Sequence, residues 1–219
     1  MISNFQTNLD EIKEKVTNIG SGLLESNILL LNALENCDIE KFNAAKLNIK
    51  NISSKTDDID NSIIKVLALY TPEARDLRQV IAYLKITNEL SRASSSTRSF
   101  IRGFTDVCVD VDVATIKEYA VPMQTSTVKA IKLSLDMINC DDVDEIQELY
   151  NDVLIEENKT DDLYEIVERK LSEQVEGIDT FEKFHKMLRA LRKSGKIASR
   201  AIAIANLLVY AKVGGNFSS

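Results

Sequence analysis

The chain has 219 residues, 44% of them hydrophobic and 6% aromatic, with two prolines, seven glycines and no tryptophan. That length admits one long domain or two fused half-domains, and so few breakers among abundant Leu, Ile, Ala, Lys and Glu call for long helices. A formal charge of −7 and a pI near 4.9 argue against nucleic acid, which is bound through clustered positive charge, and no run of about 18 apolar residues is present for direct membrane insertion.

The chain opens with Ser3 and Gln6 in the spacing of a capping box, followed by Phe5, Leu9, Ile12, Val16, Ile19 and Leu23 at helical intervals; a first helix is expected to about Asn36. There is no basic segment leading into an apolar one, as a secretory leader would have. Asp38 is placed to cap a second helix running through Ile49, Ile52, Ile59 and Val66 to Leu69. Thr71 as cap and Pro72 at the first helical position begin a third, reaching about Phe104. A fourth covers Val113 to Asn139, with Pro122 expected to kink or divide it. Asp142 with Glu145 opens a fifth, ending near Gly177, and Asp179 with Glu182 opens a sixth, ending at Gly214-Gly215. Leu77, Ile81, Leu84, Phe181, Leu188 and Leu191 are expected to face inward. Cys37, Cys108 and Cys140 are odd in number, far apart and in no C-x-x-C pair, which suits free thiols in a reducing cytoplasm.

The halves repeat. Lys55-Thr-Asp-Asp58 reappears as Lys159-Thr-Asp-Asp162, an offset of 104 residues, and the same offset pairs Leu67 with Leu171, Leu84 with Leu188 and Arg92 with Lys196. Two tandem three-helix repeats with pseudo-two-fold symmetry follow, about 1–105 and 106–219 in a single domain of 1–219, each covering an apolar face of the other.

At the start of the third helix the chain reads Pro72-Glu-Ala-Arg-Asp-Leu-Arg78, then Glu89-Leu-Ser-Arg92. This resembles the PhoU family, whose repeats carry Pro-x-Ala-x-Asp-Leu-Arg followed by an acidic segment. The resemblance implies an all-α fold of six long helices and a regulator of phosphate uptake and signalling. It also implies a metal cluster, held by Glu-x-x-x-Asp pairs whose carboxylates share one helix face. Here those positions carry Ser91 and Ser95 in the first repeat and Gly195 and Ser199 in the second, and two turns further on stand Arg102 and Asn206. Neutral hydroxyls and nearby arginines suit multivalent cations poorly, so no metal and no cofactor are expected. Asp58 and Asp162 match an Asp that faces the metal in the family and are the residual acidic positions.

Other groups have plainer roles beside the functional ones their spacing suggests. Ser91, Ser95, Arg98 and Arg102 follow heptad spacing and form a candidate anion face, although serines on a helix more often mark a polar surface. Glu182 and His185 imitate half of a di-metal motif, but the chain has one histidine in all, so the other half is missing. The same shortage, with no Gly-rich nucleophile elbow and no P-loop, argues against an enzyme. Arg75, Asp76 and Arg78 form a candidate docking surface for a protein partner, such as a phosphate transporter component or a sensor kinase; a homodimer is also expected, from amphipathic helices of this length. The resulting expectation is a metal-free regulatory adaptor. The alternative is a metal- or anion-dependent helical bundle using Asp58, Asp162 and the serine–arginine stripe.

Overall fold

The structure is a computed structural model that describes residues 2–214. Every regular element in it is α-helical: α1 (Ile2–Leu34), α2 (Ile39–Asn48), α3 (Ile52–Leu69), α4 (Ala74–Asp110), α5 (Val113–Asn139), α6 (Val143–Glu173) and α7 (Ile178–Lys212). α1, α4, α5 and α7 form the centre of the bundle. α2 and α3 lie against α1 and α4 on one side, and α6 lies against α5 and α7 on the other. The core is built from stripes three and four residues apart, such as Leu9, Ile12, Val16, Ile19 and Leu23 on α1 and Ile86, Leu90, Ala93, Phe100 and Phe104 on α4, all buried.

Burial recurs at the 104-residue offset. Ile12, Val16, Ile19 and Leu34 of α1 match Ile116, Ala120, Met123 and Ile138 of α5, and Tyr83, Thr97, Phe104 and Val107 of α4 match Met187, Ala201, Leu208 and Ala211 of α7, every one of them buried. The outer layers differ. Where α6 runs straight through Val153 and Glu156, the matching Ile49 and Ile52 flank a break between α2 and α3. The expected second helix is therefore two. Asn51 takes the left-handed conformation (φ 60°), a shape asparagine tolerates better than most residues, and the turn buries both Ile49 and Ile52. Ser26 of α1 donates to the Ala45 carbonyl at 2.7 Å and holds α2 in place.

Several boundaries depart from expectation. α1 already includes Ser3, and α4 starts at Ala74, so Thr71 and Pro72 lie before the helix, and Glu73 is its cap residue. α4 continues to Asp110 because Phe104 and Val107 are still buried. Asp142 accepts from the Glu145 N–H at 2.9 Å, as its capping position requires, whereas α7 begins at Ile178 behind Gly177, one residue before the expected cap Asp179. α7 ends at Lys212, before Gly214; Gly215 lies outside the described residues. Leu77 and Phe181 are exposed, 40% and 54%, since the inward stripes of α4 and α7 begin later, at Val80 and Met187. Leu191 is buried as expected.

Pro122 does not divide α5, which is continuous across it. The proline is on the solvent side, so the Glu118 carbonyl it leaves unbonded needs no protein donor, while Ala120, Met123 and Gln124 beside it are buried. Pro122→Ala restores the missing N–H, and an increase in unfolding free energy of about 1 kcal/mol is expected in urea titrations. A decrease would mean that the proline's own packing matters more than the bond it forfeits.

The cysteines also depart from expectation. Cys37, in a left-handed turn after α1, and Cys108, near the end of α4, form a disulfide with Cα atoms 5.6 Å apart, a separation the bridge accepts without backbone movement. Sequence distance hid this, since two long helices bring their ends together. Cys140 is the free thiol, half-buried.

Two polar devices lie inside the bundle. At its centre the Asn27 side-chain amide donates to the Thr97 hydroxyl at 3.2 Å and accepts from Gln124 Nε2 at 3.0 Å. Gln124 Oε1 in turn accepts from the Ser194 hydroxyl at 2.8 Å, which also lies 2.8 Å from the Thr127 hydroxyl. All five residues are fully buried, and together they tie α1, α4, α5 and α7. At the end of α5, the Lys212 ammonium donates to the Ile138 carbonyl at 3.0 Å and to the Cys140 carbonyl, and lies 3.3 Å from Asp141. A cation there satisfies terminal carbonyls and opposes the helix dipole.

Candidate functional site: the outer faces of α4 and α7

α4 and α7 pack together more extensively than any other pair of helices. Gly103 and Ala190 allow a close approach, since a Cβ built on Gly103 would fall 2.9 Å from that of Ala190. Along the seam, Arg200 of α7 reaches Glu89 of α4 at 3.0 Å, and Arg92 lies 3.7 Å from the same carboxylate. Further along, Lys186 meets Asp110 at 3.0 Å, and this hydrogen bond holds the Lys186 ammonium above its ordinary pKa.

The candidate anion stripe is not gathered into one place. Ser95 is exposed, and its carbonyl accepts from the Ser99 hydroxyl at 3.0 Å; Ser91 is half-buried. Arg98 turns toward α2 and the turn after it and lines a depression of about 460 Å³ with Lys46, Lys50 and Asn51. Arg102 turns the other way, into a groove of about 570 Å³ against α7, shared with Lys186, Arg189, Arg192 and Lys193. The spacing of that α7 row, with Lys186, Arg189 and Lys193 at i, i+3 and i+7, is visible in the sequence, but only the packing of α4 against α7 shows that Arg102 joins it.

Asp58 and Asp162 are exposed and make no ion pair among the described residues; the Asp58 carbonyl accepts from the Ser62 hydroxyl at 2.9 Å. The carboxylates that face α7 are their neighbours. Glu157 Oε1 accepts from the Ser199 hydroxyl at 3.1 Å, and an Asp161 carboxylate oxygen lies 3.8 Å from where a Cβ on Gly195 would stand. Burial raises the Glu157 pKa, the Ser199 bond opposes this, and Asp161 adds to it. Glu157 and Asp161 are four residues apart, so the spacing was on view in the sequence; which face met α7 was not. At the 104-residue offset from Glu157, Asp161, Gly195 and Ser199 stand Ser53, Asp57, Ser91 and Ser95.

The metal cluster implied by the resemblance does not fit these residues. Among the described residues no three His, Cys, Asp or Glu side chains gather to hold an ion, and the α7 positions facing Glu157 and Asp161 offer one hydroxyl and no side chain at all. His185 is exposed, with its ring stacked on Phe181 at 5.7 Å. The Arg75, Asp76 and Arg78 group separates. Arg75 is exposed, whereas the Arg78 guanidinium tucks against Gly214 beyond the end of α7, 3.7 Å from a Cβ position there, with its Nε buried and unpaired.

The sequence profile of the PhoU domain matches residues 16–100. No curated protein matches the chain in sequence. Among solved structures it is similar to PhoU from Pseudomonas aeruginosa, with a TM-score of 0.85 and 21% identity over 96% of this chain and 100% of that one. It is also similar to the phosphate transport system regulatory protein PhoU from Streptococcus pneumoniae, with a TM-score of 0.81 and 17% identity over 98% and 99%. A PhoU-like protein from Shewanella oneidensis is more distant, with a TM-score of 0.63 and 15% identity over 92% and 96%. Residues 16–100 thus carry the PhoU domain profile, with the Pro72–Arg78 motif inside it, and the chain as a whole has the fold of the PhoU structures.

Proposed function

We propose that this protein is a metal-free regulatory adaptor of phosphate transport or phosphate signalling, a cytoplasmic non-enzyme that works by binding a transporter component or a sensor kinase. In this reading it is one domain of two repeats, about 1–105 and 106–219, and self-associates as a homodimer. The observation that carries the reading is the end-to-end likeness to a phosphate transport system regulatory protein, which covers 98% of this chain. The chemistry of the site supports it. The family's metal positions hold Ser91, Ser95, Gly195 and Ser199, and the single histidine is stacked on the surface rather than set beside a nucleophile. Arg75 and Asp76 give the partner an accessible polar patch at the start of α4.

The test is a binding assay between the purified chain and the phosphate-transporter ATPase component and sensor kinase of its own organism, with elemental analysis of the same sample. Saturable binding is expected to one of them. It should weaken about tenfold or more in the charge-reversed variant Arg75→Glu/Asp76→Arg, with circular dichroism unchanged. Binding to neither protein would end the adaptor reading, and one equivalent or more of tightly held iron or zinc would end the metal-free part of it.

A further inference from the structure

We propose that the groove between α4 and α7 binds a small anion made of linked phosphoryl groups, such as pyrophosphate or tripolyphosphate. Its walls carry Arg102, Lys186, Arg189, Arg192 and Lys193, with Asp106 as the one carboxylate in the lining, on a protein whose net charge is −7. Lys186 is partly neutralised by Asp110 at 3.0 Å, and Arg192 lies over the Tyr164 ring at 6.0 Å. Arg102, Arg189 and Lys193 make no ion pair among the described residues. Three unneutralised cations around one concavity repel one another, and an anion would relieve that repulsion.

The fold does not require this charge. At the 104-residue offset the sequence carries other residues. There Arg102 becomes Asn206, Lys186 becomes Ala82, Arg192 becomes Asn88 and Lys193 becomes Glu89; only Arg189 keeps a cation, as Lys85. Positions that carry five cations in the groove thus correspond to a single lysine and a glutamate, while the buried stripes recur at the same offset. Packing explains Gly103 and Ala190 at the floor of the groove, and leaves the basic walls unexplained.

The geometry narrows the ligand. Lys186 to Lys193 spans about 10 Å along the axis of α7, longer than one phosphate and suited to a short chain of them. The groove is open to solvent, where a single charge pair is weak, so useful affinity needs several charges on one ligand. Guanidinium groups present planar forks that match phosphoryl oxygens two at a time. No aromatic side chain lines the groove to stack a base, and its small apolar residues are Gly103 and Ala190, which leaves nothing to hold an acyl chain. At about 570 Å³ the space is within the usual range for a small-molecule site.

The full chain is titrated calorimetrically with tripolyphosphate, pyrophosphate, orthophosphate and citrate at about 0.15 M salt, where long-range attraction is largely screened. One tripolyphosphate per chain is expected, bound about tenfold or more tighter than orthophosphate or citrate. Arg189→Glu/Lys193→Glu should weaken it by about tenfold or more. Lys46→Glu/Lys50→Glu, the same change of charge in the depression beside Arg98, should alter it by less than about threefold. Circular dichroism of both variants checks the fold; if the first pair fails to fold, Arg102→Gln/Arg189→Gln serves in its place. Failure of the parent to bind tripolyphosphate would overturn the proposal, as would equal weakening by both pairs, which is bulk electrostatics. Citrate binding as tightly as tripolyphosphate would overturn the phosphoryl assignment.

Discussion

Gln124→Leu is expected to lower the free energy of unfolding by about 1–3 kcal/mol, the cost of leaving the buried Asn27 side-chain oxygen unpaired. The Gln124 side chain both donates to Asn27 on α1 and accepts from Ser194 on α7, at 3.0 and 2.8 Å. Leucine fills much of the same volume but strands the Asn27 carbonyl oxygen and removes an acceptor from Ser194, in a place that no solvent reaches. Replacing the partners too, as Asn27→Leu/Gln124→Leu/Ser194→Ala, should recover part of the loss, since apolar groups of similar shape leave nothing unsatisfied. Urea unfolding of the two variants measures both effects. A single variant within about 0.5 kcal/mol of the parent, the range of ordinary surface substitutions, would mean that the amide is not paired as described.

Removal of the bridge by Cys37→Ser/Cys108→Ser should reduce stability by about 2–5 kcal/mol under oxidising conditions. The two cysteines are separated by 71 residues, and closing a loop of that size in the unfolded chain corresponds to about 4 kcal/mol in the chain-entropy account. Reductant should bring the parent close to the double variant and leave the double variant unchanged, while Cys140→Ser should move neither by more than about 0.5 kcal/mol. Equal stability of the parent with and without reductant would show two free thiols in solution, the state that the spacing of the cysteines alone suggests. The comparison therefore also bears on the compartment, because such a bridge is at home in an oxidising one.

The helices were legible because an amphipathic stripe is a local property. Leu9, Ile12, Val16 and Ile19 declare a buried face by spacing alone, and Asp142 with Glu145 declares a start. The 104-residue offset was legible for the same reason: the match of Lys55–Asp58 to Lys159–Asp162 sets an offset that the buried stripes also follow. Where a helix had to answer to its neighbours, sequence reasoning went astray. The propensity of residues 38–69 favours one helix, but the chain breaks at Asn51 so that Ile49 and Ile52 both reach the core. Pro122 should divide α5, but the helix is continuous across it, with the proline on the solvent side and Ala120, Met123 and Gln124 buried beside it.

The sequence by itself determined that this protein is an all-helical bundle of long amphipathic helices, because periodicity and capping act within one or two turns. Tertiary structure alone decided which polar side chains meet. It paired Glu157, not Asp58 or Asp162, with α7, split Arg98 from Arg102, and brought Arg102 of α4 beside Lys186, Arg189 and Lys193 of α7. It also joined Cys37 to Cys108. These outcomes depend on the rotation of one helix about its axis against another. A difference of one residue turns a side chain by about 100°, and that angle is set by the packing of the whole bundle, which no local spacing records.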